Sequence, residues 1–218
     1  MGSRRGLFVT LEGGEGSGKT TQRRRIVAFL RERGHEVLET REPGGTPAGE
    51  LIRDLLLHRV ESLHPRAELA LYLASRAQLV EEVIREQLAR GVSIVCDRFT
   101  DSSAAYQGGA RDLGIETVER LNDWATDGVQ PDLTLYFDVD PEEGLARRQS
   151  RGSGDEALDR IEREALGFHE RVRAAYRVIA GRHPERFRVV PTHGGEERVW
   201  ERVRSTLEGK LVEWERNA

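Results

Sequence analysis

The sequence has one cysteine, Cys96, in 218 residues. No internal disulfide framework is possible, and a reducing compartment, the cytoplasm, is the expected setting. Cys96 lies inside an apolar run with no catalytic histidine pattern near it, and it reads as core. Long apolar runs are also lacking. The first, Leu7 to Leu11, is far shorter than a secretory core or a membrane span, so no membrane partner is expected. Positive charge is not in excess. The formal net charge is −4, which argues against a basic surface and a nucleic-acid partner. The six histidines show no metal-ligand spacing, so no structural zinc is expected. Lysine is nearly absent: among 34 basic residues only Lys19 and Lys210 are not arginine. A lysine kept at position 19 marks a place suited to a compact ammonium rather than a planar fork.

What is present alternates. Apolar strand-like runs at 6–12, 36–40, 92–97, 133–138 and 187–190 are separated by helical patterns at 19–33, 48–57, 67–90, 101–107, 115–126, 141–149, 159–182 and 196–213. Strands joined through helices imply crossover connections. The expected fold is α/β, a mainly parallel sheet with helices on both faces. No internal repeat and no interdomain linker interrupts it, so 1–218 reads as one domain. Ser150 to Glu156 (SRGSGDE) has linker-like composition but lies between two helices, which points to a mobile lid at about 147–158.

Gly13-Gly-Glu-Gly-Ser-Gly-Lys19-Thr20 matches G-x-x-x-x-G-K-[ST] after a predicted strand and before a predicted helix. Glycines let backbone N–H groups turn around phosphate oxygens, and the helix presents its positive end to the same anions. Lys19 can reach the β and γ phosphates, and the Thr20 hydroxyl can ligate Mg²⁺. The candidate ATP-binding set is Gly13, Glu15, Gly16, Ser17, Gly18, Lys19, Thr20 and Thr21. No N-K-x-D guanine motif is found, which favours ATP over GTP.

Ligands of open parallel sheets bind at the carboxyl ends of strands. Asp97-Arg98 ends the third strand, so Asp97 can join the Mg²⁺ shell and Arg98 can grip a phosphate; a surface ion pair is the plain alternative. Arg41-Glu-Pro-Gly-Gly-Thr46 forms a rigid turn at the same edge, and Arg53 follows it. Tyr72 and Arg76, spaced i, i+4, share a helix face. They can offer a stacking ring and a planar donor to a base, or simply pack. Arg147, Arg148 and Arg151 border the proposed lid; the alternatives are a solvated charged helix or an arginine carried onto the transferring phosphoryl group.

These residues resemble bacterial thymidylate kinases over roughly Gly6 to Arg204. The carrying segments are GGEGSGKTT (13–21), REPGGT (41–46), DRF (97–99), SSAAYQGG (102–109), PDLTLYFDV (131–139) and LDRIE (158–162). The resemblance implies a P-loop kinase fold with a five-stranded parallel sheet, ATP and Mg²⁺ as partners, dTMP as acceptor, and a homodimer formed through helices, the long one included. It implies that Glu15 lies near the acceptor and that Arg53 and Arg98 bind its phosphate. Tyr72 is expected on thymine, Arg76 at the base carbonyl O4, Ser103 and Gln107 on the base, and Tyr106 under the sugar. Arg151 is expected as the lid arginine. The lid segment is longer and more acidic than the family pattern, which leaves Arg147 and Arg148 in contention.

The implied reaction needs no strong general base. A phosphate monoester has a second pKa near ~6 and is largely a dianion at neutral pH. Lys19, Glu15, Arg98 and Arg151 are the catalytic set, acting by position and charge. The rivals are a kinase for another nucleotide or nucleoside and a P-loop binding or switch module such as a partner-regulated ATPase.

Overall fold

The computed structural model describes residues 5–150 and 159–216. Five strands form one all-parallel sheet in the order β2-β3-β1-β4-β5: β1 Phe8–Glu12, β2 Val37–Arg41, β3 Ser93–Asp97, β4 Leu133–Asp138 and β5 Phe187–Pro191. Nine helices accompany it among the described residues: α1 Lys19–Glu32, α2 Pro47–Asp54, α3 Pro65–Leu79, α4 Arg85–Ala89, α5 Thr100–Ser103, α6 Ile115–Thr126, α7 Pro141–Ser150, α8 Leu166–Arg182 and α9 Gly195–Arg216. None of these is long and apolar enough to cross a membrane.

Central strands of a covered parallel sheet are buried on both faces and read as continuous apolar runs. β1 (FVTLE) is buried at every position. Its period-2 alternation divides it: Val9 and Leu11 join the cluster under α1 and α9, while Phe8 joins the cluster with Leu79, Val80 and Phe99 on the other face. Glu12 shares the parity of Phe8, so a carboxylate ends that second face. α9 supplies Val199, Val203, Leu207 and Leu211, an i, i+4 stripe, to the first cluster.

β1 has β3 on one side and β4 on the other. The crevice beyond its carboxyl end is therefore the switch point where such sheets take ligands. The expected elements appear there with three changes. Wide, π-type turns follow α2 (Leu55–Arg59), α3 (Val80–Ile84) and α5 (Ala104–Ala110). The last continues the expected 101–107 helix to residue 110. The helix expected at 159–182 starts only at Leu166. Asp159 Oδ1 accepts from the N–H groups of Ile161 and Glu162, both at 2.8 Å, and closes a separate turn. Arg160 in that turn is buried, donating to Leu56 O at 3.0 Å and pairing with Glu68 at 2.6 Å. These anchors hold the segment off the α8 axis.

Candidate active site

The phosphate loop joins β1 to α1. Gly18 caps α1 at φ 86°, with no side-chain cap, and this leaves the first-turn N–H groups open to an anion. Gly16, at φ 65°, approaches α7 so closely that a Cβ would lie 2.0 Å from Gly144 O. Lys19 Nζ lies across the loop, donating to Gly13 O at 2.7 Å and to Gly14 O at 3.4 Å. Burial, with Arg98 nearby, holds its ammonium below the usual lysine pKa. Residues Gly14 through Thr20, with Arg148, line a cleft of about 200 Å³. Gly13 and Thr21 flank this cleft without lining it: Gly13 contributes its carbonyl to Lys19, and Thr21 lies one residue along α1.

A second cavity, about 190 Å³, adjoins the first. Arg53, Tyr72, Arg76, Arg98, Ser103, Tyr106 and Gln107 all line it. Glu15 lines both cavities and is the residue they share. Its carboxylate meets Arg98 at 3.4 Å. Burial opposes its charge, but Lys19, Arg98 and Arg148 hold its pKa below the ordinary glutamate value. Arg98 is backed from several sides. Its NH1 donates to Ser102 Oγ at 3.4 Å and to Tyr106 Oη at 3.3 Å, and its guanidinium lies 5.2 Å from the Tyr106 ring centroid. Arg98 has φ 70°, a left-handed conformation that costs energy for a non-glycine residue and aims its side chain away from the strand.

Arg76 is buried and uses all five N–H donors inside the protein. Nε and NH2 reach Glu42 Oε2 at 2.9 and 2.5 Å. NH1 reaches Ser103 Oγ at 3.0 Å and Asn122 Oδ1 at 2.6 Å, and NH2 also reaches Phe99 O at 3.0 Å. A base carbonyl must therefore share a donor with one of these partners. Arg53 NH1 donates to Pro43 O at 3.0 Å. Burial pushes the Tyr72 and Tyr106 phenols above their usual range, so both rings stay neutral.

Gln107 is oriented by Glu68, a buried carboxylate on α3. Glu68 accepts from Gln107 Nε2 at 2.8 Å and pairs with Arg111 at 3.3 Å and Arg160 at 2.6 Å. Glu68 accepts from Gln107 and from two arginines, so the amide nitrogen faces it and the amide oxygen faces away. Glu68, Tyr72 and Arg76 recur at i, i+4, i+8 on one face of α3; that spacing was the available signal for Glu68.

Sequence reasoning also left out Glu42, Asp159 and Glu162, which line the second cavity. The last two belong to the DRIE segment, and Glu42 to the REPGGT turn. Glu162 pairs with Arg148 at 2.8 Å, and its burial beside Asp159 and Glu15 pushes its carboxyl above the ordinary value. Of the three lid candidates, Arg148 lines the phosphate cleft. Arg147 turns to Glu143 at 2.6 Å and Thr192 O at 3.4 Å, and Arg151 lies outside the described residues. Asp97 lines neither cavity; its Oδ2 lies 3.7 Å from Arg23.

The family model for thymidylate kinase matches residues 11–203. A thymidylate kinase of Desulfosudis oleivorans is 50% identical over 206 residues, covering 93% of this chain and 96% of that one. One from Synechococcus sp. (strain JA-2-3B'a(2-13)) is 47% identical over 205 residues, covering 94% and 96%. The crystal structure of thymidylate kinase from Ehrlichia chaffeensis superposes with a TM-score of 0.75 at 32% identity, covering 94% of this chain and 99% of that one.

Proposed function

This chain belongs to the thymidylate kinase family, and on that premise we propose that it holds ATP in the phosphate-loop cleft and dTMP in the adjoining cavity. The reaction is transfer of the ATP γ-phosphoryl group to dTMP, giving ADP and dTDP. The observation that carries the assignment of the two cavities is their meeting at Glu15, with Lys19 on one side and Arg98 on the other. Transfer between two anions needs that contiguity, because the attacking and leaving oxygens must lie in line.

Lys19 leaves the loop carbonyls to meet the β and γ phosphates. Arg98 and Arg53 grip the acceptor phosphate, which attacks as a dianion without a base. Glu15 keeps Arg98 oriented and repels any misplaced anion at the junction. Tyr72 offers its ring to the base, with Arg76 and Ser103 at its polar edge and Tyr106 under the sugar. Arg151 as lid arginine rests on the family resemblance, and 147–158 is proposed as the lid of a single domain. A panel of nucleoside monophosphates with ATP tests this reading: dTMP should lead, and equal turnover of every monophosphate would overturn it.

Mg²⁺ fits beside the loop. Asp97 Oδ1 is buried without a hydrogen-bond partner among the described residues, and the Thr20 hydroxyl belongs to the first turn of α1. Hard oxygen donors of this kind suit Mg²⁺. Thr20 and Asp97 would hold it, and a bound ion there neutralises charge on the ATP phosphates.

A homodimer is supported by apolar side chains left exposed on helices that pack against α3. Leu51 on α2 is 75% exposed, and Trp124 on α6 is 77% exposed. Trp124→Glu should sediment as a monomer where the parent sediments as a dimer. A parent that is already monomeric at working concentration rejects the dimer.

A further inference from the structure

Glu12 ends β1, one residue before the phosphate loop, and it has no part in the mechanism above. It is fully buried. Its Oε1 accepts from the Phe99 N–H at 2.8 Å, and its Oε2 accepts from Ser102 Oγ at 2.5 Å and Tyr176 Oη at 2.7 Å. Two of these donors, Phe99 and Ser102, lie within four residues after the acceptor-phosphate residue. Phe99 follows Arg98 directly, so its bond to Glu12 fixes the exit from the left-handed turn. Ser102 accepts from Arg98 NH1 at 3.4 Å while giving its own hydrogen to Glu12.

We propose that ionised Glu12 is a positioning residue for phosphoryl transfer, holding Arg98 at the acceptor phosphate through Ser102 and the Phe99 N–H. The inference rests on the assignment of Arg98 to the dTMP phosphate. An acceptor-only carboxylate directs the Ser102 hydrogen towards itself, and a serine lone pair is left for Arg98. A protonated carboxyl brings a hydrogen of its own. Ser102, the closest oxygen, then has to accept it and turn its own hydrogen to Tyr176 Oη at 3.2 Å, while the charge that draws Arg98 towards this cluster is gone. The contact that orients Arg98 is weakened.

The groups facing Glu12 set when that happens. Burial and the Asp101 carboxylate on α5 raise its pKa, against Ser102, Arg98 and Tyr176, to about 7. Lys19, Arg186, Tyr106 and the Cys96 thiol also feel its charge. A carboxyl raised above its ordinary 4.5 stabilises the fold most at low pH, and that stability is lost as pH rises from 4.5 through about 7. Function and stability therefore pull in opposite directions at this residue.

Glu12→Gln is near-isosteric and mimics the protonated state at every pH. The experiment compares kcat/KM for dTMP between parent and variant across pH; the ionisation of dTMP itself divides out of the ratio. The parent should exceed Glu12→Gln about tenfold at about pH 8.5, and the ratio should close towards one by about pH 5.5. The variant's thermal midpoint at alkaline pH should equal or exceed the parent's, which a purely structural carboxylate would not allow. If Glu12→Gln does not fold, Ser102→Ala breaks the same link and should give the same closing ratio. A ratio that is flat with pH, at one or at any other value, overturns the proposal. Arg98→Ala is measured alongside: if it leaves dTMP turnover intact, the Arg98 assignment has failed, whatever Glu12 does.

Discussion

The phosphate-loop cleft takes its wall from one uninterrupted stretch, Gly14 to Thr20, with Arg148 facing it. The acceptor cavity draws on six separated stretches: the loop at Glu15, the turn after β2, the end of α2, one face of α3, the β3–α5 turn with the helical residues after it, and the DRIE segment. The first is mostly backbone, shaped by glycine conformations and a helix terminus. The second is mostly side chains, held by buried pairs such as Arg76–Glu42 at 2.5 Å and Arg160–Glu68 at 2.6 Å. A site built of backbone can lose its working side chain and keep its shape. A site built of paired side chains cannot lose one without disturbing the rest.

Lys19→Met gives the largest effect and the cleanest separation. Among the described residues the hydrogen bonds of Lys19 go to loop carbonyls, so the fold and dTMP binding should survive. Turnover should fall by at least about 10³-fold, the scale of a lost transition-state charge contact. Turnover and dTMP affinity are the measurements. Activity within about tenfold of the parent would remove Lys19 from the chemistry, and lost dTMP affinity would break the independence of the two cavities.

Arg76→Ala should show the opposite pattern, damaging fold and recognition together. It leaves Glu42 buried without its partner, and breaking such a pair costs about 3–5 kcal/mol. It also removes the donor set that thymine and uracil can meet with a carbonyl and cytosine cannot. A mismatched polar contact can cost on the order of 10⁴-fold, whereas the thymine methyl is worth about 10–200-fold. The parent should therefore rank dTMP above dUMP and place dCMP far below. In the variant, dTMP should suffer most and its lead over dCMP should narrow. Competing turnover of the three monophosphates, with a denaturation curve, checks both halves; an unchanged ranking would show that Arg76 only holds Glu42 in place.

The contrast also explains what could be read without coordinates. The loop is contiguous, so its motif and its place between a strand and a helix were visible together. The parallel sheet followed from alternation, and α6 and β4 appear at the residues expected. Ser103, Tyr106 and Gln107 reached the candidate set only through family resemblance, because nothing local marks them as a base site. The supporting carboxylates were not found. Glu12 reads as the last residue of a strand and Glu68 as an ordinary helix charge until the fold encloses them. Nor could the break at residue 165 be foreseen, since the buried contacts of Arg160 that cause it span 104 residues to Leu56.

The smallest expected effect tests whether those hidden carboxylates matter for selectivity. Glu68 fixes the Gln107 amide with its nitrogen inward, so the amide oxygen faces away, and Gln107 lines the cavity. Bound as proposed, that oxygen can accept from the N3–H of thymine or uracil; cytosine has no hydrogen at N3. Glu68→Gln replaces an acceptor-only group with one that can also donate, so the Gln107 amide can turn over. One neutral hydrogen bond is worth about 0.5–1.5 kcal/mol, which predicts up to about tenfold loss in kcat/KM for dTMP. dCMP should be almost unaffected, and the dTMP-to-dCMP ratio should fall by the same factor. Stability should drop as well, because Arg111 and Arg160 lose the charge they share. The ratio separates the two roles. If stability falls while the dTMP-to-dCMP ratio stays fixed, Glu68 pins α3 to the DRIE turn and has no part in reading the base.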